Sequence, residues 1–355
     1  MVKLQRNNPN VGRLYYMDSL RALAISLIVL GHCLGGFTPS SPLGIALYNF
    51  SSGATALFVF ISGFFLHRIY YQRITYTKFV KMKFIDIGIP YLLLSSIFLF
   101  FNLLRYGKLP PFPISHQFYD SLSSVNLFIL YLLTGATQSA YWYIPFILGI
   151  FLLTPLYFRF LGFSQNFKIA MIIALFVTSS IAWRPTANIN VVQSVIYFTP
   201  FYLSGMYFSE HEARVRKIVM KLLYPLGFTF LSTLALMHFK GVVGNSHKSD
   251  LFEFSGIDLV VLKESALILF SLSILYRYFD KSSWFLGRLA NLSFPIFFLH
   301  GFVLYTISKI GYLSFFYKNV CTRVFLFVVV MIISTSVAQL VRKITGDKSR
   351  YLIGK

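Results

Sequence analysis

Hydrophobic residues in this chain form long runs, and short segments rich in polar residues, proline or glycine separate them. Most runs approach the ~20 residues with which an α-helix crosses a bilayer while satisfying its own backbone hydrogen bonds. The pattern predicts an all-α, polytopic membrane helical bundle of about ten transmembrane helices. The predicted spans are 16–37, 51–71, 84–104, 142–158, 168–184, 191–208, 218–238, 257–276, 291–310 and 322–341.

One further apolar run, "NLFILYLLTG" at 126–135, is only about half a membrane long. We predict that it forms an extra short helix that lies at the interface or re-enters the membrane. A tilted additional span is the alternative.

Basic residues orient the predicted spans, because lysine and arginine collect in cytoplasmic loops. With a cytoplasmic N-terminus and ten spans, the basic segments 68–83, 214–221, 277–288 and 342–350 all lie inside. If 126–135 did span, the segment 214–221 would lie outside. We therefore predict that both termini are cytoplasmic.

The same pattern divides the chain into three parts. These are a cytoplasmic N-terminal tail 1–15, a transmembrane domain 16–341 and a basic cytoplasmic C-terminal tail 342–355. The N-terminal residues lack a cleavage site after a short apolar region, so we expect the first run to stay as an anchor. The outer loops 38–50, 105–141, 185–190, 239–256 and 311–321 are candidates to cover an outward-facing site.

Composition and charge agree with a membrane protein. The 355 residues are 56% hydrophobic and 12% charged, against roughly 25% charged residues in soluble domains. The net charge of +21 would suggest nucleic acid in a soluble protein, but here the positive-inside loops account for it. We expect membrane lipids as partners and no nucleic acid. Cys33 and Cys321 show no metal-binding or pairing pattern, and we interpret both as small buried groups.

Two polar groups interrupt the first apolar run. Arg21 and His32 stand eleven residues apart, which on an α-helix is three turns plus roughly 20° and a rise of about 16.5 Å. They therefore share one face at different depths. There are two structural alternatives. Arg21 could contact lipid headgroups, and His32 could be a core residue that is hydrogen-bonded to a neighbouring helix. Together the pair indicates a site, with the arginine on an anionic ligand and the histidine as a proton acceptor.

At these residues a family likeness begins. "MDSLRALAISLIVLGHC" at 17–33 resembles the first helix of the acyltransferase 3 family of integral membrane acyltransferases, whose signature is an arginine and a histidine with ten residues between them. Five further segments resemble family elements in the same order, so the likeness covers residues 16 to 341. They are "ALFVFISGFFL" at 56–66, "VKMKFIDIGIPYLL" at 80–93, "YWYIPFILGIFLLTPLY" at 141–157, "FYLSGMYFS" at 201–209 and "LSFPIFFLHGFVLY" at 292–305.

One family element departs from the usual pattern. Many relatives carry two arginines, spaced R-x-x-R, before the third helix, and here the matching positions are Lys83 and Asp86. Lysine binds phosphate only as a point charge, and Asp86 repels an anion unless it is paired. Donor binding there would then depend on Lys78, Lys81 and Lys83 collectively.

The resemblance implies an enzyme that moves an acyl group, usually acetyl, from cytoplasmic acetyl-CoA to a hydroxyl of a cell-surface glycan or a lipid-linked sugar. It implies a cell-membrane protein, most commonly in the bacterial cytoplasmic membrane, that uses acyl-CoA as donor and no metal. His32 would be the base, or the acyl carrier, and Arg21 would bind or polarise the donor. Arg68, Lys81 and Lys83 would bind the nucleotide phosphates.

The same resemblance suggests acceptor-side roles for Trp142, His300 and Ser62. Each has a structural alternative. Trp142 could belong to the aromatic belt at the membrane interface, His300 could serve only in packing, and Ser62 with its neighbour Gly63 could allow two helices to pack closely. Glu264, beside Lys263 in a predicted span, either pairs or lines the path. From another class, a secondary transporter or flippase for a glycan or anionic metabolite also uses buried Arg and His, and a scaffold without chemistry is a third hypothesis.

Overall fold

The computed structural model describes residues 12–35, 41–114, 119 and 121–354. Helices dominate these residues, and two short parallel strands pair near one end of the bundle. The helices are α1 Tyr15–Leu34, α2 Pro42–Ser51, α3 Thr55–Phe65, α4 Tyr76–Lys83, α5 Ile89–Tyr106, α6 Ser124–Thr134, α7 Tyr143–Leu152, α8 Thr154–Leu161, α9 Gln165–Ala182, α10 Val191–Glu210, α11 Glu212–Lys221, α12 Leu223–Phe239, α13 Leu259–Tyr278, α14 Trp284–Asn291, α15 Ser293–Lys309, α16 Leu313–Phe316, α17 Val320–Thr345 and α18 Ser349–Ile353. The strands are β1 Arg184–Pro185 and β2 His247–Lys248.

An all-α bundle of membrane-spanning size is confirmed. Within the described residues, six helical segments are long and apolar enough to cross a membrane, and three bent helix pairs raise the number to nine. The bent pairs are α7 with α8, α11 with α12 and α14 with α15. The remaining predicted span, 191–208, is the 20-residue helix α10, whose residues are largely buried in the centre of the bundle. The count of ten and the cytoplasmic termini stay predictions.

The centre of the bundle depends on one close helix crossing. A Cβ at Gly63 of α3 would lie 1.9 Å from the carbonyl oxygen of Tyr202. A Cβ at Gly205 of α10 would lie 2.0 Å from the carbonyl oxygen of Phe60. Only glycine lets the two backbones approach so closely, as in other membrane helix pairs. The small residue beside Ser62 therefore serves helix packing, which was one of the two alternatives for this motif.

Some local features agree with the predictions and others differ from them. The predicted outer loop 38–50 contains α2, which begins with Pro42 and is capped by the Ser41 hydroxyl, 3.1 Å from the Gly44 N–H. The short run at 126–135 is the 11-residue helix α6, about 16.5 Å long and so too short to span alone. Cys33 is buried as predicted, but the prediction for Cys321 is wrong, because it lies exposed near the start of α17.

Two π-helical turns interrupt the helices that bear the predicted donor cations. Leu66–Tyr70 continues α3, and Phe84–Gly88 joins α4 to α5. A π turn holds one residue more than an α turn and often marks a functional site. The carboxylate of Asp86, in the second turn, pairs with the guanidinium of Arg350 in α18. The charge that was expected to repel an anion is thus neutralised.

Candidate functional site

The two ends of the bundle take their names from the ends of α1. The Tyr15 end is where α1 begins, and the Leu34 end is where it finishes. His32 lies in the last turn of α1, while Arg21 lies near its beginning. The helix therefore places the two polar groups toward opposite ends, as the sequence spacing predicts.

Two histidines meet near the Leu34 end. The ring of His32 lies 5.2 Å, centroid to centroid, from the ring of His300 in α15. His300 is fully buried, and its Nδ1 lies 3.1 Å from the Ile296 carbonyl oxygen. A carbonyl only accepts, so Nδ1 bears the proton and Nε2 of the neutral ring keeps its lone pair. Within the described residues that Nε2 has no hydrogen-bond partner.

His32 lies in the wall of a cavity of about 580 Å³, called here the large cavity. The irregular loops predicted to cover a site reach it, since Pro113 and Gly135 both contribute to its wall. The buried Nε2 of Gln138 in this wall has no hydrogen-bond partner among the described residues. Its other polar lining residues are Thr137, Ser139, Tyr305, Ser308 and Tyr317. A lining of this kind suits a ligand with several hydroxyl groups.

A second cavity of about 150 Å³, called the small cavity, shares His32, Trp142 and Ser139 with the large one. Its most polar lining group is Arg184, which is 3% exposed. The guanidinium carbon lies 4.8 Å from the centroid of a Trp142 ring, a cation–π contact. Arg184 Nε has no acceptor within the described residues, and Arg184 takes part in none of the ion pairs formed there.

The segment that presents Arg184 is held in an unusual backbone conformation. Trp183, Ala187 and Asn188 all have positive φ angles, between 51° and 56°. Such conformations persist only where surrounding contacts over-determine them. The amide of Gln193 supplies such contacts by donating to the carbonyls of Ala182 and Trp183 at 3.1 and 3.3 Å.

Sequence reasoning missed Arg184. It stands in "AWRPTANIN", and as a cation at the end of an apolar run it resembles many other loop cations of this chain. Arg184 is buried beside His32 because β1 pairs with β2. The linear sequence gives no signal for pairing between two such short and distant strands.

An arginine from α17 fixes the end of α1. The side chain of Arg323, 1% exposed, donates through Nη1 to the carbonyls of Cys33, Leu34 and Gly35 at 3.3, 3.0 and 3.2 Å. A cation bonded to the last carbonyls stabilises a helix C-terminus. Arg323 therefore holds the turn that bears His32.

Near the Tyr15 end, Arg21 is half-buried and makes no hydrogen bond or ion pair with any described residue. It lies within electrostatic range of Asp18, Tyr70 and Lys83. The ammonium of Lys83 lies 3.5 Å from the Tyr70 hydroxyl and 4.8 Å from the centroid of that ring. Arg21 and Lys83 therefore form one cationic group, as expected if both bind the donor.

The other two predicted donor cations lie differently. Arg68 is bound in an ion pair with Glu212 at 3.0 Å, and Glu212 also accepts from the Tyr16 hydroxyl at 2.6 Å. Lys81 lies exposed on α4. The structure thus does not place Arg68 and Lys81 in the cationic group with Arg21.

A basic cleft that the sequence did not single out opens at the Tyr15 end, with a volume of about 670 Å³. Its cations come from the start of α1 and from α14, α17 and the loop before α14. They are Arg13, Lys281, Arg288 and Arg342. Asp18 is the acidic residue of its wall and pairs with Arg13.

Buried tyrosines lie between the two ends. Tyr202 of α10 lies within electrostatic range of Tyr70, Tyr157 and Tyr143. The Tyr202 hydroxyl has no hydrogen-bond partner in the described part of the chain, and Tyr143, whose hydroxyl lies beside Ser62, also lines the small cavity. A buried polar group normally has a partner. These tyrosine hydroxyls thus mark a polar route from the Lys83 region toward His32.

Trp142 and two charged residues of α13, Lys263 and Glu264, are the remaining residues that the sequence singles out. Trp142 is 7% exposed and its indole stacks on Phe146 and Phe198, so part of the ring surface expected to meet a sugar is already occupied. Lys263 donates to the Ser52 carbonyl oxygen. Glu264 packs against Gly53, and neither of its oxygens has a hydrogen-bond partner within the described residues.

Comparison with known proteins agrees with this arrangement. The family model described as an acyltransferase domain, that of the acyltransferase 3 family, matches residues 14–339. Neither the curated proteins nor the solved structures gave a match. Because the matched region takes in Arg21, His32, both cavities and nearly the whole bundle, the chain belongs to the acyltransferase 3 family of membrane acyltransferases.

Proposed function

We propose that this acyltransferase moves an acyl group, acetyl in the first instance, from a cytoplasmic acyl-CoA to a hydroxyl of a cell-surface glycan or a lipid-linked sugar, in a bacterial cell membrane. The observation that carries the proposal is the pair of imidazoles, with His32 in the wall of a hydroxyl-suited cavity and His300 packed 5.2 Å away. A base beside such a cavity is what activation of a sugar hydroxyl requires.

The proposed reaction places His32 against the acceptor hydroxyl. The neutral imidazole takes the hydroxyl proton while the acceptor oxygen bonds to the thioester carbonyl carbon. The C–S bond then breaks, and the CoA sulfur leaves with the proton that the imidazolium returns. One alcohol and one thioester thus give one ester and one thiol. In a two-step variant, a nitrogen of His32 carries the acyl group between donor and acceptor.

His300 acts on this step through His32. Its Nδ1 proton is held by the Ile296 carbonyl, so Nε2 can only accept a hydrogen bond in the neutral state. An acceptor at this position favours one orientation of a neighbouring imidazole N–H or of a substrate hydroxyl. His300 is therefore a positioning residue, which refines the acceptor-side role expected from the sequence.

The donor approaches from the Tyr15 end in this proposal. The nucleotide phosphates would bind there, either at Arg21 and Lys83 or in the basic cleft, and the pantetheine arm would follow the tyrosine hydroxyls toward His32. About 16.5 Å of helix separates Arg21 from His32, and an extended thioester arm bridges that order of distance. The unpartnered hydroxyl of Tyr202 supports this route, since the arm carries amide groups that can pair with it.

Labelled donor tests the proposal. Membranes containing the wild type, His32→Ala or His238→Ala are incubated with radiolabelled acetyl-CoA and the native acceptor, and label in the glycan or lipid-linked sugar is counted. His238, exposed on α12, is the matched control. We expect His32→Ala to lower transfer by about 10²- to 10⁴-fold and His238→Ala to leave it unchanged. Absence of label with the wild type would overturn the proposal, and equal label in all three would remove His32 from it.

The transporter alternative now has less support. Buried arginine and histidine were its basis, and membership of an acyltransferase family supports an enzyme rather than a transporter.

A further inference from the structure

The small cavity contains Arg184, a buried cation that forms no ion pair within the described residues. Arg184 is 3% exposed, and its Nε lacks an acceptor among the described residues. A buried guanidinium without a partner is costly, and structures normally supply a carboxylate, a phosphate or several carbonyls. The stacking of Arg184 on Trp142 fixes its plane but satisfies none of its N–H donors.

The nearby carboxylates of Asp258 and Glu264 form no hydrogen bond or ion pair with Arg184 within the described residues. The carboxylate of Asp258 accepts from the Val260 N–H at 2.9 Å and from the Tyr197 hydroxyl at 3.0 Å. Glu264 lies against Gly53 and is adjacent to Lys263, whose charge offsets it. The positive charge of Arg184 is therefore available to a ligand.

Polar groups around Arg184 complement a small oxygen-rich ligand. Asn188 and Asn245 line the same cavity, and the Oδ1 atom of each lacks a hydrogen-bond partner among the described residues. Since amide oxygen and nitrogen are assigned from their surroundings, each side chain presents either a donor or an acceptor to a ligand. A volume of about 150 Å³ admits one acidic group with a few neighbouring atoms rather than a whole oligosaccharide.

The small cavity is continuous with the proposed reaction site. Its wall shares His32, Gly35, Ser139 and Trp142 with the large cavity. A substrate with a hydroxyl or an acyl carbon at His32 therefore reaches Arg184 with a group only a few bonds away. Planar, bidentate recognition by arginine suits a carboxylate, whose negative charge complements the guanidinium of Arg184.

We infer that the small cavity is a carboxylate subsite in which Arg184 binds the acid group, while Asn188 and Asn245 bind adjacent oxygens. This inference deepens the proposed acyl transfer and rests on it for the role of the bound group. The carboxylate belongs either to the acceptor, as in a hexuronic acid, or to the far end of a dicarboxylic acyl group.

Binding without turnover tests the inference. Purified full-length protein in detergent is unfolded thermally with increasing sodium glucuronate, sodium succinate or glucose, and Tm is followed by tryptophan fluorescence. A ligand of the native state raises Tm with concentration. We expect glucuronate or succinate to raise Tm while neutral glucose does not; a rise with glucuronate places the carboxylate on the acceptor, and one with succinate places it on the acyl group. No rise with either acid, or an equal rise with glucose, would overturn the subsite.

Variants assign the effect to Arg184. Arg184→Gln should remove the rise, Arg184→Lys should retain a smaller one, and Arg214→Gln should behave as the wild type because Arg214 is exposed on α11. A full response in Arg184→Gln would overturn the assignment. If Arg184→Gln does not fold, the comparison of acids with glucose on the wild type still decides. No acyl group is transferred in this binding test. If the label assay fails but glucuronate still raises the Tm of the wild type, the proposed function is rejected and the carboxylate subsite stands.

Discussion

At the residue scale, the candidate site contains polar atoms without a hydrogen-bond partner among the described residues, including Nε of Arg184 and Nε2 of His300. Arg21 and His32 were predictable because they share one helix, where spacing alone fixes their relation. The pairing of His32 with His300 was not, since it requires the packing of α15 against α1. Arg184 was out of reach because two-residue strands determine its position and leave no periodic signal.

The His300 ring provides a prediction at this scale. His300→Leu keeps a similar volume but removes the acceptor that faces His32, so we expect kcat to fall by about 10-fold or more while KM for acetyl-CoA stays unchanged. His300→Gln, which retains an acceptor, should recover part of kcat. A rise in KM without a fall in kcat would place His300 in donor binding instead.

At the element scale, helix crossings and caps place these groups. The ten predicted apolar runs each correspond to a helix or a bent helix pair, since apolar length is a strong signal for a membrane helix. The bends of 55° to 72° were not predicted, because they follow from packing rather than from apolar length. The cap that Arg323 places on α1 was missed for the same reason.

The crossing of α3 and α10 gives the second prediction. Gly205→Leu must push the two backbones apart, because even a Cβ would lie 2.0 Å from the Phe60 carbonyl oxygen. We expect loss of folded protein, measured as the monodisperse fraction after extraction and as Tm. Gly149→Ala is the control, since its Cβ would meet only the side chains of Val195 and Val191, at 3.4 and 3.9 Å. Equal yields of both variants would contradict the packing account.

At the scale of the whole molecule, cationic groups lie toward one end of the bundle and the histidine pair toward the other. This separation agrees with a donor that approaches from one side of the membrane and an acceptor from the other. Sequence reasoning anticipated it from the positive-inside pattern. It did not anticipate that the cations at the Tyr15 end form two groups, one at Arg21 and Lys83 and one in the basic cleft.

Which group binds the nucleotide phosphates is decided by kinetics. If Arg21 and Lys83 bind them, Lys83→Gln should raise KM for acetyl-CoA by roughly 10-fold, and Arg288→Gln should leave it unchanged. The reverse result assigns the phosphates to the basic cleft. A dephospho analogue of the donor, which lacks the 3′-phosphate, separates phosphate binding from general effects, because it should reduce the difference between the variants.

Membrane orientation is open to a labelling test. In a background with Cys321→Ser, single cysteines at the exposed positions Arg73→Cys and Ser249→Cys are treated with an impermeant thiol reagent on intact cells. The predicted topology expects label at 249 and none at 73. Label at 73 from outside would reverse the orientation and with it the proposed donor side.

The π turns at Leu66–Tyr70 and Phe84–Gly88 carry a consequence for the history of the chain. A π turn holds one residue more than an α turn, so a helix can absorb an inserted residue there. We therefore expect the segments at Arg68 and Lys83 to tolerate one-residue changes in length that would disrupt the α3–α10 crossing. Among homologues, single-residue gaps are expected to gather at these turns.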